Sequence, residues 1–163
     1  PKIAGGLVES DPENDILKLV VLNRYKKSEP ALGFINGFGF KEGAIASSVA
    51  HDSHNIVAVG TNDEDIVKAI NLIIREKGGV AAVASSQEEV LGLPVAGLMS
   101  NNNAEMVAEK YHSIDKLAHS MGSTLRAPFM TLSFMSLLVI PELKLSDKGL
   151  FDGRSFSFTP IFS

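Results

Sequence analysis

Cysteine and tryptophan are both absent from this chain of 163 residues, and only 7% of its residues are aromatic. A chain without cysteine forms no disulfide and no thiolate metal site, which is compatible with a reducing compartment. Like charge is not concentrated beyond the short acidic run at residues 63–65, and the formal net charge is −4. Because nucleic acids and anionic membrane surfaces bind basic faces, we expect neither as a partner.

Long hydrophobic runs are also missing. The longest one, at residues 129–140, is interrupted by Thr131, Ser133 and Ser136 and is closed by Pro141. A helix that spans a bilayer takes roughly 20 apolar residues, so the sequence predicts no membrane span. A signal peptide has a charged segment followed by an apolar core, and the first residues do not show this pattern. We therefore expect a cytoplasmic location.

The composition is that of a globular protein, with 45% apolar and 21% charged residues. The length fits one domain. Residues 1–15 contain Gly5-Gly6 and Asp11-Pro12, which favour turns, and we interpret them as a loop that is a linker or the end of a preceding domain. Residues 16–163 then form the domain proper.

Hydrophobic periodicity predicts the elements of this domain. Strands are predicted at residues 16–25, 31–40, 44–50, 56–59, 80–84, 88–91, 143–145 and 156–158, with a hairpin turn at Ser85-Ser86. Long helices are predicted over residues 61–77 and from Asn102 or Asn103 to Met121, with a short third helix over 128–136. The order favours an α+β fold, in which these helices pack on a largely antiparallel or mixed β-sheet.

Three local details follow from the same pattern. Thr61 and Glu64 match a capping box at the start of the first helix. Gly37 and Gly39 leave one face of the second strand bare, so that another backbone or a ligand could approach closely. Helical spacing predicts the buried stripe of the second helix to be Val107, Tyr111, Ile114, Ala118 and Met121.

The candidate functional residues are His51, Asp52, Ser53 and His54, in a polar segment between two apolar strands. Ligand counting disfavours a metal site made by this segment alone, since catalytic zinc usually takes three protein ligands. Adjacent residues of one turn also rarely form a Ser-His-Asp triad. The alternative is that Asp52, Ser53 and Asn55 only hydrogen-bond the backbone of a tight turn. That alternative leaves the two histidines without a structural task.

Other motifs carry less information. His112 and His119 are seven residues apart, roughly 10 Å along a helix, and are better explained as part of an exposed helix face. The glycines of residues 37–43 do not have the spacing of a dinucleotide-binding loop, and no Gly-Lys-Ser/Thr is present.

Residues 37–55 and 59–65 resemble the C-terminal region of adenine deaminases of the amidohydrolase superfamily. Further matching segments follow in the same order at residues 93–100, 128–134 and 139–147. The resemblance covers the chain from about Ile16 to its end. Leu138 and the hairpin tip near Ser85 depart from the family pattern, and neither lies in the histidine-containing segment.

The resemblance implies hydrolysis of adenine to hypoxanthine and ammonia by a metal-activated water. It places that chemistry on a TIM-barrel domain that precedes this region and holds manganese or iron. This chain has no His-x-His pair and no succession of eight strand–helix units, so we expect it to hold no cofactor and to be inactive alone. We expect it to pack on its own N-terminal barrel, to help wall the adenine site with residues 51–54, and to form a homo-oligomer. The alternatives are a purely structural or oligomerisation module and, less favoured, a free-standing binder of small molecules.

Overall fold

A computed structural model describes residues 1–85 and 87–162 of the chain. The strands are β1 Lys2–Ala4, β2 Leu7–Glu9, β3 Leu17–Leu22, β4 Ala31–Ile35, β5 Ala44–Ser47, β6 Ile56–Gly60, β7 Gly79–Ala84, β8 Gln87–Gly92, β9 Leu143–Ser146, β10 Gly149–Asp152 and β11 Ser157–Phe158. The helices are α1 Asp63–Arg75, α2 Ala104–Ser120 and α3 Pro128–Ser133. A 3-10 turn at Pro12–Asn14 precedes β3.

The main sheet has six strands in the order β4-β3-β6-β5-β7-β8, and all of its pairs are antiparallel. Two smaller sheets pair β1 with β2 and order the last strands as β11-β10-β9. The predicted α+β fold is therefore confirmed. The sequence pattern did not predict β10, a strand of four residues that begins at Gly149.

The main sheet is covered on both faces. On one face, α1 packs over small side chains that let the helix approach closely, including Ala46, Ala58 and Ala81. On the other face, α2, α3 and the β9–β11 sheet cover a core that includes Ile45, Val59 and Leu145. Central strands buried on both faces read as continuous apolar runs, which explains why β6 was recognisable in the sequence.

Helix α1 begins one residue later than the capping box predicts. Asn62 is the N-cap, and its side-chain oxygen accepts a hydrogen bond from the N–H of Asp65 at 2.8 Å. The Asn62 amide in turn donates to the Asp65 carboxylate at 2.7 Å. The pairing of Thr61 with Glu64 is therefore wrong, because the Thr61 hydroxyl instead bonds to the carbonyl of Gly43 at 3.2 Å.

The sequence indicated an irregular loop over the first fifteen residues. The structure instead shows the β1–β2 hairpin and the 3-10 turn there. The segment is also tied to the domain. The carboxylate of Asp15 accepts hydrogen bonds from the N–H groups of Gly37 and Gly39, each at 2.7 Å. Both glycines have positive φ, of 93° and 77°, so the second predicted strand ends at Ile35 instead of continuing to residue 40.

Helix α2 agrees closely with its prediction, since Asn103 is the N-cap and Ser120 the last residue. Within its predicted stripe, Tyr111 is 37% exposed, whereas Ile114 and Ala118 are buried. Residue 86, half of the predicted hairpin turn between β7 and β8, lies outside the described residues.

Candidate functional site

The candidate residues lie in a loop at one end of the main sheet. Leu22 at the end of β3 pairs with Ile56 at the start of β6, and Ser47 at the end of β5 pairs with Val57. The same register places the end of β8 beside the start of β7. The segments 23–30, 48–55 and 93–103 therefore leave the sheet at this end, which we call the loop end.

Residues 51–54 form a tight turn that is closed by two hydrogen bonds between Ala50, which precedes it, and His54. The N–H of His54 donates to the carbonyl of Ala50 at 2.7 Å, and the N–H of Ala50 donates to Nδ1 of His54 at 3.3 Å. His54 has a φ of 51°, a left-handed conformation that non-glycine residues adopt only where surrounding contacts hold it. These hydrogen bonds give the turn a fixed backbone conformation.

The two histidine rings lie next to each other. Their centroids are 5.8 Å apart in an edge-to-face arrangement, and the ring of His51 also packs on Phe134 at 5.1 Å. Both histidines are half-buried, whereas Asp52 and Ser53 are exposed. The structure therefore brings together the two predicted histidines.

Arg24 and Tyr25, which the sequence analysis did not select, support the backbone at the end of the turn. The guanidinium of Arg24 donates through Nε to the carbonyl of His54 at 2.9 Å and through Nη2 to the Tyr25 hydroxyl at 3.0 Å. That hydroxyl donates to the carbonyl of Ser53 at 2.9 Å. Asn55 completes the set, because its side-chain oxygen accepts from the N–H of Arg24 at 3.1 Å. A Cβ at Gly97 would collide with the guanidinium, so this glycine makes room for it.

Helix α3 and the residues that follow it also support the turn. The N–H of His51 donates to the carbonyl of Ser133 at 3.0 Å, and the hydroxyl of Ser136 donates to the carbonyl of His51 at 3.3 Å. No local sequence signal indicated these partners, since they depend on long-range packing. The backbone of the turn is consequently held from two sides, while parts of its side chains remain accessible.

The surroundings of His54 disfavour its charged form. Burial lowers the pKa of His54 most, and the neighbouring His51 and Arg24 lower it further, while Asp52 acts in the opposite direction. Asp52 hydrogen-bonds neither histidine ring among the bonds found in residues 1–85 and 87–162. The contact that selects the tautomer of His54 is the backbone N–H of Ala50.

The turn does not fit a metal. Across the residues that the structure describes, no group of three or more His, Asp or Glu side chains is placed to hold a metal ion. His119 faces backbone carbonyls of Asp115 and Leu125 at 2.8 and 2.9 Å, which is a structural arrangement at the end of α2. Clefts of about 560 and 410 Å³ lie elsewhere, against β4 and β9 and beside α1.

These features define an α+β domain that presents a held histidine turn at one end of its sheet. A family model described as "Adenine deaminase C-terminal domain" matches residues 1–157, and the chain belongs to this family.

Relatives of known name agree with this assignment. The chain is 56% identical over 165 residues to an adenine deaminase of Methanosarcina mazei, covering all of this chain and 29% of the relative. It is 58% identical over 152 residues to one of a Sulfurovum species and 51% identical over 152 residues to one of Borreliella burgdorferi, covering 93% and 92% of this chain and 28% of each relative. The chain thus spans under a third of the length of these relatives. None of the helices in residues 1–85 and 87–162 is long and apolar enough to cross a membrane.

Proposed function

We propose that this domain serves an enzyme that hydrolyses adenine to hypoxanthine and ammonia, and that residues 51–54 form part of the wall of its active site. The observation that carries the proposal is the turn itself. Two adjacent histidine rings, 5.8 Å apart, are held from both sides by hydrogen bonds at the loop end of a rigid sheet. A site built on such supported elements is precise enough to meet a substrate.

The catalytic metal belongs, in this proposal, to the rest of the polypeptide. The donor set of the turn does not fit a metal ion, so manganese or iron would be held by a preceding TIM-barrel domain. When bound there, such a metal supplies a hydroxide near neutral pH. The isolated chain is accordingly proposed to be inactive.

The contribution of this chain is to bind and orient. The rings of His51 and His54 offer nitrogen atoms that hydrogen-bond a purine, while Asp52 and Ser53 are exposed beside them for polar contacts with the barrel. Arg24 and Phe134 keep the two rings in place. We propose the cytoplasm and purine salvage as the setting, which the absence of cysteine and the proposed substrate suit.

The proposal is tested in the full-length enzyme that contains this domain. Replacing both His51 and His54 by Ala should lower kcat/KM for adenine by about tenfold to hundredfold, the usual cost of losing groups that orient a site. The metal content and the circular dichroism should stay unchanged. His112→Ala is the matched control, because this histidine is exposed and belongs to a different element, α2. Full activity of the double variant would refute the active-site role.

A second candidate function is an oligomerisation module, which one specific surface favours. The cleft of about 410 Å³ lies between α1 and the strands β3 and β4. Several of the side chains that line it are large, apolar and exposed. Leu32 is 45% exposed, Val67 55% and Ile74 52%. If this surface joins subunits, Val67→Lys should dissociate a homo-oligomer in analytical ultracentrifugation. A variant that keeps its assembly would exclude this surface as the interface.

A further inference from the structure

The two histidines of the turn differ in what their ring nitrogens contact. Nδ1 of His54 lies 3.3 Å from the backbone N of Ala50, which donates to it. A backbone N–H of this kind can only donate, so Nδ1 must accept with its lone pair. The proton of the neutral ring is then carried by Nε2.

In this arrangement, the ring of His54 can contact a ligand only as a hydrogen-bond donor. A neutral imidazole has a single in-plane lone pair, and that lone pair is already engaged by Ala50. The ring can donate through Nε2–H, but it cannot take up a proton or bind a metal through Nδ1 without breaking this bond. Within residues 1–85 and 87–162, the hydrogen bonds found include none to Nε2.

The backbone around His54 makes this orientation durable. Its own N–H is bonded to the carbonyl of Ala50 and its carbonyl to Nε of Arg24, so the residue is fixed at both ends. The charged and titratable groups that face the ring are Arg24, His51 and Asp52. Two of the three act with burial to lower the pKa of His54, which agrees with a neutral ring.

We propose that His54 is a dedicated hydrogen-bond donor, whose Nε2–H binds an unprotonated ring nitrogen of the purine substrate. The inference rests on the function proposed above and adds the direction of the hydrogen bond. It leaves proton uptake, if the turn takes part in it, to His51, whose ring is held by packing on Phe134 and on His54.

The tautomer is tested first and without reference to activity. In the full-length enzyme labelled with ¹⁵N-histidine, long-range ¹H–¹⁵N correlation spectra at neutral pH should show His54 as the neutral Nε2–H tautomer. The His54→Gln protein identifies the signal. A neutral Nδ1–H tautomer or an imidazolium would overturn the inference, whatever the kinetics show.

The role is tested with a matched pair of variants. His54→Gln keeps a donor near the position of Nε2, whereas His54→Leu does not, and both side chains strain the left-handed backbone alike. We expect Leu to lower kcat/KM for adenine by about tenfold, as for the loss of one hydrogen bond, and Gln to lower it by less than about threefold. An equal loss in both would overturn the donor role.

Substrate analogues identify the nitrogen that His54 contacts. Inhibition constants of 1-deazaadenine, 3-deazaadenine and 7-deazaadenine, each lacking one of the three unprotonated ring nitrogens, are compared between the natural protein and His54→Leu. The analogue that lacks the contacted nitrogen should inhibit both proteins equally, and the other two should lose about tenfold in the variant. If His54→Leu changes no constant while the His51 and His54 double alanine variant loses activity, the donor role of His54 fails and the proposed function stands. If the double variant is also fully active, both fail.

Discussion

The ring of His51 packs on the ring of Phe134, with centroids 5.1 Å apart and 39° between the planes. Phe134 is the C-cap residue of α3, and the preceding Ser133 accepts the backbone N–H of His51 at 3.0 Å. Helix α3 therefore fixes both the ring and the backbone of this histidine. The position of the turn depends on a distant part of the chain as well as on its own strands.

Removing the Phe134 ring should loosen His51. We expect Phe134→Ala to lower the free energy of unfolding by about 1–3 kcal/mol, less than for a fully buried phenylalanine because this ring is half-buried. Urea denaturation measures the loss, and the nuclear Overhauser contacts of the His51 ring report its freedom. Met130→Ala on the same helix is the control, because Met130 is 55% exposed and should change stability by less than about 0.5 kcal/mol. Equal losses would show that the ring contact contributes nothing particular.

Much of the fold could be predicted from the sequence where the pattern is periodic. Asn103 and the apolar residues that follow it define α2, and the strand around Val57 is a continuous apolar run. The choice between Thr61 and Asn62 as the cap could not be made, since both are good cap residues in adjacent positions. The end of β4 also escaped prediction, because it depends on the carboxylate of Asp15 binding a distant backbone.

The histidine turn could be selected from the sequence as a candidate, but its contacts could not be predicted. Two histidines in one polar segment between apolar strands were sufficient to select it. The direction of the hydrogen bond at His54 depends on the fold of the turn, and its support by Arg24 joins segments that only the sheet register brings together. Such contacts leave no local pattern for sequence reasoning to detect.

Gly60 at the end of β6 is required by the close approach of α1. A Cβ at this position would lie 2.6 Å from Cβ of Ala44 and 2.7 Å from Cγ1 of Ile66. We expect Gly60→Ala to lower the free energy of unfolding by about 1–3 kcal/mol through overpacking. Gly33→Ala in β4 is the control, since its Cβ would meet only the Leu145 methyl groups at 3.6 Å and should cost less than about 0.5 kcal/mol. Urea denaturation of both variants checks this, and a neutral Gly60→Ala would contradict the packing of α1.

Asp15 should stabilise the segment that leads from β4 into the core. Its two carboxylate oxygens accept from Gly37 and Gly39 at 2.7 Å, so Asp15→Ala leaves two N–H groups without this partner. We expect a loss of about 1.5–3 kcal/mol, as for hydrogen bonds to a charged group. Asp15→Asn should lose less, because the amide keeps one acceptor and tolerates the left-handed φ of 53°.

Hydrogen exchange at the two glycines locates the effect of Asp15, since their amide protons should exchange faster in Asp15→Ala than in the natural protein. Glu13→Ala, an exposed change in the same segment, serves as the control. Unaltered exchange at Gly37 and Gly39 in Asp15→Ala would argue against the two bonds.

The cap of α1 separates the sequence prediction from the structure. Asn62→Ala removes the acceptor for the N–H of Asp65 and should cost about 1 kcal/mol of stability. Glu64→Ala removes the partner that the predicted capping box required, and it should cost less than about 0.5 kcal/mol. Thermal or urea unfolding compares the two. A larger loss for Glu64→Ala than for Asn62→Ala would restore the predicted capping box.

The pKa of His54 should move in opposite directions in two variants. The positive charge of Arg24 lowers this pKa, so Arg24→Gln should raise it, whereas Asp52→Asn should lower it further by removing the one charge that opposes the shift. Titration of the ring signals by NMR measures both, and shifts of the same sign would contradict the assignment of these neighbours.

The lowered pKa of His54 also predicts how the stability of the domain depends on pH. Because the pKa of His54 is below its usual value of 6.5, the unfolded chain takes up the proton first as the pH falls. The contribution of His54 is complete above pH 6.5 and is lost as the pH drops from there through the lower pKa of the folded state. The variant His54→Asn tolerates the left-handed backbone and does not titrate in this range. Its free energy of unfolding should therefore fall less between pH 7 and pH 5 than that of the natural protein, and the difference is the contribution of this one histidine. Urea midpoints across this range test the expectation, and identical slopes for the two proteins would show that His54 is not a source of the dependence.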